Sequence, residues 1–514
     1  MHTEKDPILG SFFPNDRDLR YKFIASGIVG ILALATLAIL LSFWQIVAIV
    51  LSILFLIVTI YRPRWTLMFL LIWMPFEPFL LKFVPDVLFL YARFFSEVLI
   101  YLLAAIVVVK IGIGKKQWKQ TPLDLPFILF VLVLIASVLV NTVSPTIAIL
   151  GIRQILRFVI LFFVVALMYP PKEFIRRAVV AMLLIVILQS ALGITQSLVG
   201  GSIDSFLLPS ETRTFETLEF QGVTEFWDPG SRVFGTLGRY DRLGTFLVFF
   251  MLIAIGFLYE KEVWQDRKEL LLVLALGLPA LLLTYSRSSW FGLLLGFLLI
   301  ALYFMRDRRV WIGFIIFLSM VFGYLFFSGV VVQNLIETRG VEQSPVERFF
   351  EAFSYERWQS EYYGFGRLYF IVQTPRAVIA TAPLFGVGPG QYGGGAAATL
   401  HNITAYDELG LPFGVEGTRG IIDNNWFSLW GETGTLGLAF YLWMYAALFI
   451  ITVKVYRDST DPLARGLALG FAGAMLAVAL NSFLATFLEV RTLAMYLWVF
   501  GGFVFVLGRR QKLV

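Results

Sequence analysis

An all-α protein crossing a membrane many times is predicted by three features of this 514-residue chain. Hydrophobic residues make up 59% of it and charged residues only 15%, well short of the quarter or so usual in soluble domains. Mean hydropathy is +0.81. Apolar runs of roughly 17–25 residues, each long enough to cross a bilayer as a helix, recur from one end to the other.

About fourteen such runs can be drawn, in order 23–41, 43–60, 66–84, 88–109, 125–141, 154–168, 178–198, 243–259, 269–285, 289–305, 310–330, 426–453, 466–486 and 491–508. The first two together are too long for a cleaved signal peptide and lack a small-residue cleavage site. Pro75, Pro78 and Pro85 interrupt the stretch 66–109, which admits a re-entrant segment there. The remaining parts are a tail 1–22, a loop 199–242 between the seventh and eighth runs, a loop 331–425, and a final block 426–514 with three spans and a short tail. A connection of some ninety-five residues exceeds ordinary loops and is usually functional. Its aromatic cluster (Phe349, Phe350, Phe353, Tyr355, Trp358, Tyr362, Tyr363, Phe365) suggests short amphipathic helices on the bilayer surface.

Charge orients the spans. With a cytoplasmic N-terminus, the basic connections at Arg62/Arg64, Lys115/Lys116/Lys119, Lys172/Arg176/Arg177, Lys261/Arg267/Lys268, Arg306/Arg308/Arg309 and Lys454/Arg457/Arg465 all fall inside, with both tails, as the positive-inside rule requires. Eleven of the twelve lysines then lie on the cytoplasmic side, Lys82 excepted. The external or embedded cations are otherwise all arginine. Topology explains few cations outside but not that choice. Arginine is permanently charged and its planar fork fits phosphate and carboxylate in a bidentate way. An arginine-lined external face therefore suits a phosphorylated, membrane-anchored substrate, against the plainer reading that each arginine pairs with an acid such as Glu211, Glu216, Glu337 or Glu361.

Other chemistries find little support. The chain has no cysteine, which excludes disulfides and thiol nucleophiles. Its two histidines, His2 and His401, form no cluster for zinc or haem, and no P-loop glycine motif is present. Neither metal nor organic cofactor is expected, and nucleic acid is not an expected partner.

Four external patterns carry the functional argument. They are Arg232-Val-Phe-Gly-Thr-Leu-Gly-Arg239; Tyr285-Ser-Arg287-Ser-Ser-Trp-Phe-Gly292; Gly366-Arg367-Leu-Tyr-Phe followed by Pro383-Leu-Phe-Gly386-Val-Gly388-Pro-Gly390; and Asp423-Asn424-Asn-Trp-Phe-Ser-Leu-Trp-Gly-Glu432-Thr-Gly434-Thr-Leu-Gly437. In this order, over roughly residues 180–455, they resemble the bacterial O-antigen ligase and O-antigen polymerase superfamily. The resemblance implies an inner-membrane glycosyltransferase working at the periplasmic face. Its donor would be a glycan on undecaprenyl diphosphate and its acceptor a sugar of a lipid-linked repeat or of the lipid A core, with a chain-length regulator as a candidate partner.

By resemblance, Arg287 and Arg367 are the arginines that hold the donor diphosphate. Ligases usually read His-Asn where this chain has Asp423-Asn424, which is closer to polymerases, as is the count of fourteen spans; His401-Asn402 stands too far from the following span to align simply. The remaining candidates for diphosphate or glycan contact are Arg153, Arg157, Arg232, Arg239, Arg376, Asn424 and Glu432.

The residues support such chemistry by themselves. A diphosphate leaves well once its developing charge is neutralised, and arginines in a partly dry site do that. A carboxylate or imidazole then takes the acceptor proton, with Asp423 and His401 the candidates. A single displacement inverts the anomeric centre. Asp423 also suits a plain helix N-cap. Arg93 and Glu97, four apart, fit a helix-face ion pair, whereas Arg153 and Arg157 share that spacing with no acid in their own segment, and Glu77 lies between two prolines. Two other classes remain in view: a secondary transporter or lipid-linked oligosaccharide flippase, and a lipid II-using peptidoglycan polymerase.

Overall fold

The computed structural model describes residue 28 and residues 43–114, 120–209, 213–215, 218–220, 232–260, 267–327, 355–415, 420–489 and 491–514. Its helices are α1 (Phe43–Tyr61), α2 (Pro63–Trp73), α3 (Glu77–Leu80), α4 (Asp86–Gly112), α5 (Asp124–Val140), α6 (Pro145–Leu156), α7 (Val159–Met168), α8 (Lys172–Val199), α9 (Gly201–Leu207), α10 (Tyr240–Tyr259), α11 (Arg267–Leu283), α12 (Arg287–Leu298), α13 (Arg308–Phe327), α14 (Tyr355–Tyr363), α15 (Arg367–Gln373), α16 (Gly395–Thr399), α17 (Thr404–Leu409), α18 (Asn425–Asp458), α19 (Pro462–Asn481) and α20 (Arg491–Arg510). A two-stranded ribbon pairs Arg213 with Phe220. The fold is all-α in its body.

Among the described residues, eight helices are long and apolar enough to cross a membrane, or ten if each of two bent pairs is one span. The run expected at 23–41 lies outside the described residues. The run 66–84 is divided: α2 and the α3 segment meet at 78°, because Pro75 and Pro78 deny the chain the amide donors a continuous helix needs there. The run 154–168 belongs to a second bent pair, α6 and α7, meeting at 54°.

α10, α19 and α20 form the buried centre. α10 packs on α19, α12 also packs on α19, and α20 lies against α7. Small residues permit the closest approaches. A Cβ on Gly256 would strike the backbone of Gly466 and Gly470, the small-residue packing that membrane helices favour. Trp498, Phe249, Phe250 and Tyr496 fill the remaining space.

The described part of the long loop has its own small core of Phe370, Val378, Tyr392, Tyr406 and Ile422. Tyr355, Tyr363 and Phe365 are exposed. The loop is joined to the body at a break in α18, a 34-residue helix whose Gly434 adopts φ +68° and ψ −173°. That break releases the carbonyls of Gly431 and Glu432, which accept from the amides of Val387 (2.9 Å) and Gly388 (3.1 Å). Thr435 N–H donates in return to Pro383 O at 2.9 Å. Gly386, at φ +66°, lies so close that a Cβ would meet Gly431 O. The Pro383–Gly390 motif thus clasps the break.

Candidate functional site

A cavity of ≈ 600 Å³ opens where the first turns of α10, α12 and α18 meet the long loop. Each wall comes from a different part of the sequence. Arg239, Tyr240 and Asp241 enter at the start of α10, and Tyr285, Ser286, Arg287 and Ser288 at the α11–α12 turn. Arg357, Trp358, Glu361 and Arg367 come from α14 and α15, Asp423 from the approach to α18, and Phe483, Leu484, Ala485 and Phe487 from the turn after α19.

Local structure fixes each group. Tyr285 takes a left-handed conformation (φ +51°), turning the chain sharply enough for Arg287 to be the first residue of α12. The hydroxyls of Ser286 and Ser289 stand 2.8 Å apart beneath it. Gly244 lets α10 approach, since a Cβ there would press on Ser289 Oγ at 2.5 Å. On the opposite wall, Gly366 leads into α15, and Glu361 accepts the Arg367 amide at 3.2 Å.

Arg367 Nη2 donates to Asp423 Oδ2 at 3.2 Å. Burial opposes the charge on Arg367, yet Asp423 and Glu361 outweigh it and hold the guanidinium above the usual arginine range. Its Nε is buried and makes no hydrogen bond among the described residues. Arg239 pairs with Asp241 at 3.1 Å, and that carboxylate, ahead of the opposing burial, also raises the arginine pKa. Arg357 pairs with Glu361. Arg239, Arg357 and Arg367 on the cavity wall therefore each rest on a carboxylate, so the acid-pairing reading holds for these three even as they share one cavity. Arg232 stacks on Tyr240, with 4.2 Å from Cζ to the ring centroid, one layer behind the wall.

The sequence candidates thus divide. Arg239, Arg287, Arg367 and Asp423 line one cavity. Asp423 is not the helix cap: Asn424 occupies the N-cap of α18 and its side chain accepts from Phe427 N–H at 3.1 Å. Asn424 is fully buried, so the expected glycan contact is replaced by a structural one. Glu432 is buried within α18 beside Gly394 and does not line the cavity. Arg376 is exposed on the π-helical turn after α15. His401 sits on an exposed turn against the Phe413 ring, 4.9 Å between centroids. Neither reaches the cavity wall.

Arg153 and Arg157 form a separate cluster. Both reach Glu97 of α4, at 3.0 and 3.4 Å, so the acid missing from their own segment is supplied by the residue expected to pair with Arg93. Arg157 Nη2 also donates to Glu489 O at 2.6 Å. Burial raises the Glu489 carboxyl above its usual range, against the Gly395 amide, Arg157 and Gln154. Glu77 is buried and accepts from Ser96 Oγ at 2.8 Å.

Sequence reasoning missed Asp241, Trp358 and the 483–487 turn as parts of the site. Asp241 had a weak signal, lying two residues after Arg239. The turn had none, since its apolar residues read as the end of a span.

Residues 270–442, about a third of the chain, match the family described as O-antigen ligase. No curated protein matches the chain. The matched stretch runs from α11 through the long loop to just past the break in α18, and it carries Arg287, Arg367 and Asp423. It supports membership of the O-antigen ligase/polymerase superfamily, and with the apolar helices it supports a multi-pass membrane enzyme acting on lipid-linked sugars.

Proposed function

We propose that the protein is a glycosyltransferase of the bacterial inner membrane, transferring a glycan from an undecaprenyl diphosphate donor to an acceptor sugar at the periplasmic face. The observation that carries this reading is the convergence of Arg239, Arg287, Arg367 and Asp423, from distant parts of the chain, on one cavity. Arginine forks suit a diphosphate, and the membrane-spanning helices beneath suit its isoprenoid tail.

The acceptor hydroxyl oxygen attacks the anomeric carbon. The bond from that carbon to the diphosphate oxygen breaks, the diphosphate leaves with the electron pair, and Asp423 receives the hydroxyl proton. The anomeric configuration inverts in this single displacement. Arg287 and Arg367 stabilise the charge that grows on the leaving oxygen, which is where fixed cations in a partly dry site act most strongly. Arg367 Nη2 donates to Asp423 Oδ2. A diphosphate drawing that guanidinium across frees the oxygen for the proton, so that donor binding prepares the base.

Polymerase is favoured over ligase. Asp423-Asn424 stands where ligases carry His-Asn, and the alternative His401 lies away from the cavity. The test is complementation of a deletion strain and a gel of its surface polysaccharide. Single-repeat products from the deletion support a polymerase, and free lipid-linked polymer supports a ligase. Arg287→Ala and Arg367→Ala should each fail to complement while the protein is present at normal level; normal ladders from both would refute the assignment.

A further inference from the structure

A second polar cavity, of ≈ 520 Å³, lies far from the first. α20 begins just after Glu489, beside the start of α18, where Leu488 N–H donates to Asn425 Oδ1 at 2.6 Å. It ends with Arg510 Nη2 donating to Pro170 O at 2.9 Å. Twenty helical residues separate those ends by about 30 Å. The second cavity adjoins the Pro170 end, with Met168 and Pro171 in its wall.

Arg62, Arg64, Lys110 and Arg177 line it against a single carboxylate, Glu173. They come from the α1–α2 turn and the first turn of α2, the last turn of α4 and the first turns of α8. No ion pair among the described residues engages Arg62, Arg64 or Arg177, in contrast to the wall of the first cavity. Among the described residues Lys110 Nζ donates only to Ile60 O, at 3.4 Å. Below the cations the wall turns apolar with Met68, Ile106, Val107 and Phe174. Trp65 and Tyr61 stand at the rim, 70% and 77% exposed, as aromatic residues do at the headgroup level of a bilayer.

We infer that this cavity binds the phosphate headgroup of an anionic glycerophospholipid in the leaflet opposite the first cavity. Excess positive charge fits the headgroup, and the apolar wall continues onto exposed Ile60, Val108 and Val109, where acyl chains can lie. Basic pockets between transmembrane helices bind such headgroups, and the arginine forks favour phosphate over a plain point charge.

The test uses the purified full chain, delipidated in detergent, with its thermal midpoint followed during lipid titration. Phosphatidylglycerol should raise the midpoint, and phosphatidylcholine and inorganic phosphate should not. At roughly 5-fold per cation, Arg64→Gln with Arg177→Gln should weaken the phosphatidylglycerol response by about 25-fold. Arg176→Gln, on the adjacent face of α8 and outside this cavity, should leave it unchanged. If the double variant does not fold, Arg64→Gln alone should show the roughly 5-fold loss. An equal response to phosphatidylcholine, an equal response to inorganic phosphate, or a variant indistinguishable from the parent would each overturn the inference.

Discussion

Arg367→Ala separates a catalytic role from a structural one, because the two carry very different magnitudes. The guanidinium stands 3.2 Å from Asp423, and the two side chains are 36% and 24% exposed. Bare Coulomb attraction at an effective dielectric near 20 is about 5 kcal/mol. Partial exposure, screening and side-chain entropy reduce the net stability of such a pair to about 1 kcal/mol or less. In a chain of this size that shifts the thermal midpoint by less than about 3 °C. The loss of one fixed donor from a developing oxyanion costs far more, about 100- to 1,000-fold in rate. Asp423→Asn should cost about 100- to 10,000-fold, as expected for a proton acceptor. The double variant should be no slower than about the worse single, since groups acting as a unit are not additive. The assay is single-turnover transfer from a lipid-diphosphate glycan by purified protein, with thermal unfolding in parallel. Turnover by Arg367→Ala within about 3-fold of the parent, or a rate loss that merely follows the folded fraction, would refute the reasoning.

Further substitutions probe the frame of the site and the separate cluster around Glu97. Gly434→Ala places a side chain at φ +68° and against Leu384 O, so stability should fall by about 2 kcal/mol or more, seen as a lower midpoint and lower yield. Asn424→Ala removes the cap of α18 and should cost about 1–2 kcal/mol; Asn424→Asp should recover most of it in the same melting experiment. Glu97→Gln leaves Arg153 and Arg157 without their carboxylate. Removing one partner of a buried pair costs about 3–5 kcal/mol, so the folded fraction on size exclusion should drop sharply, and Arg153→Gln in the same background should restore part of it.

The fold class was legible because a bilayer imposes one length and one polarity on whatever crosses it. The breaks were partly legible. Pro75 and Pro78 mark the 78° bend, but nothing in Arg157-Phe158 announces the bend after α6. Residue type singled out Arg239, Arg287, Arg367 and Asp423, and the structure gathers these four on one cavity wall, while Arg376 and His401, picked on the same ground, lie away from it. Partnership was not legible. Spacing pairs Glu97 with Arg93 one turn before it, yet Glu97 reaches across to α6 and the turn after it, which only tertiary packing reveals. Capping failed by one residue: Asp423 and Asn424 are equally good caps in isolation, and the chain's path into α18 puts the amide inward and leaves the carboxylate at the cavity.

The first cavity takes Arg239 from upstream of residues 270–442 and the Phe483–Phe487 turn from downstream of them. Both flanks therefore form part of its wall. A fragment cut to the matched stretch would lack two sides of the vessel, and a chimera exchanging that stretch between related chains would set one chain's wall against another's rim. Specificity in such exchanges should follow the flanks as much as the insert.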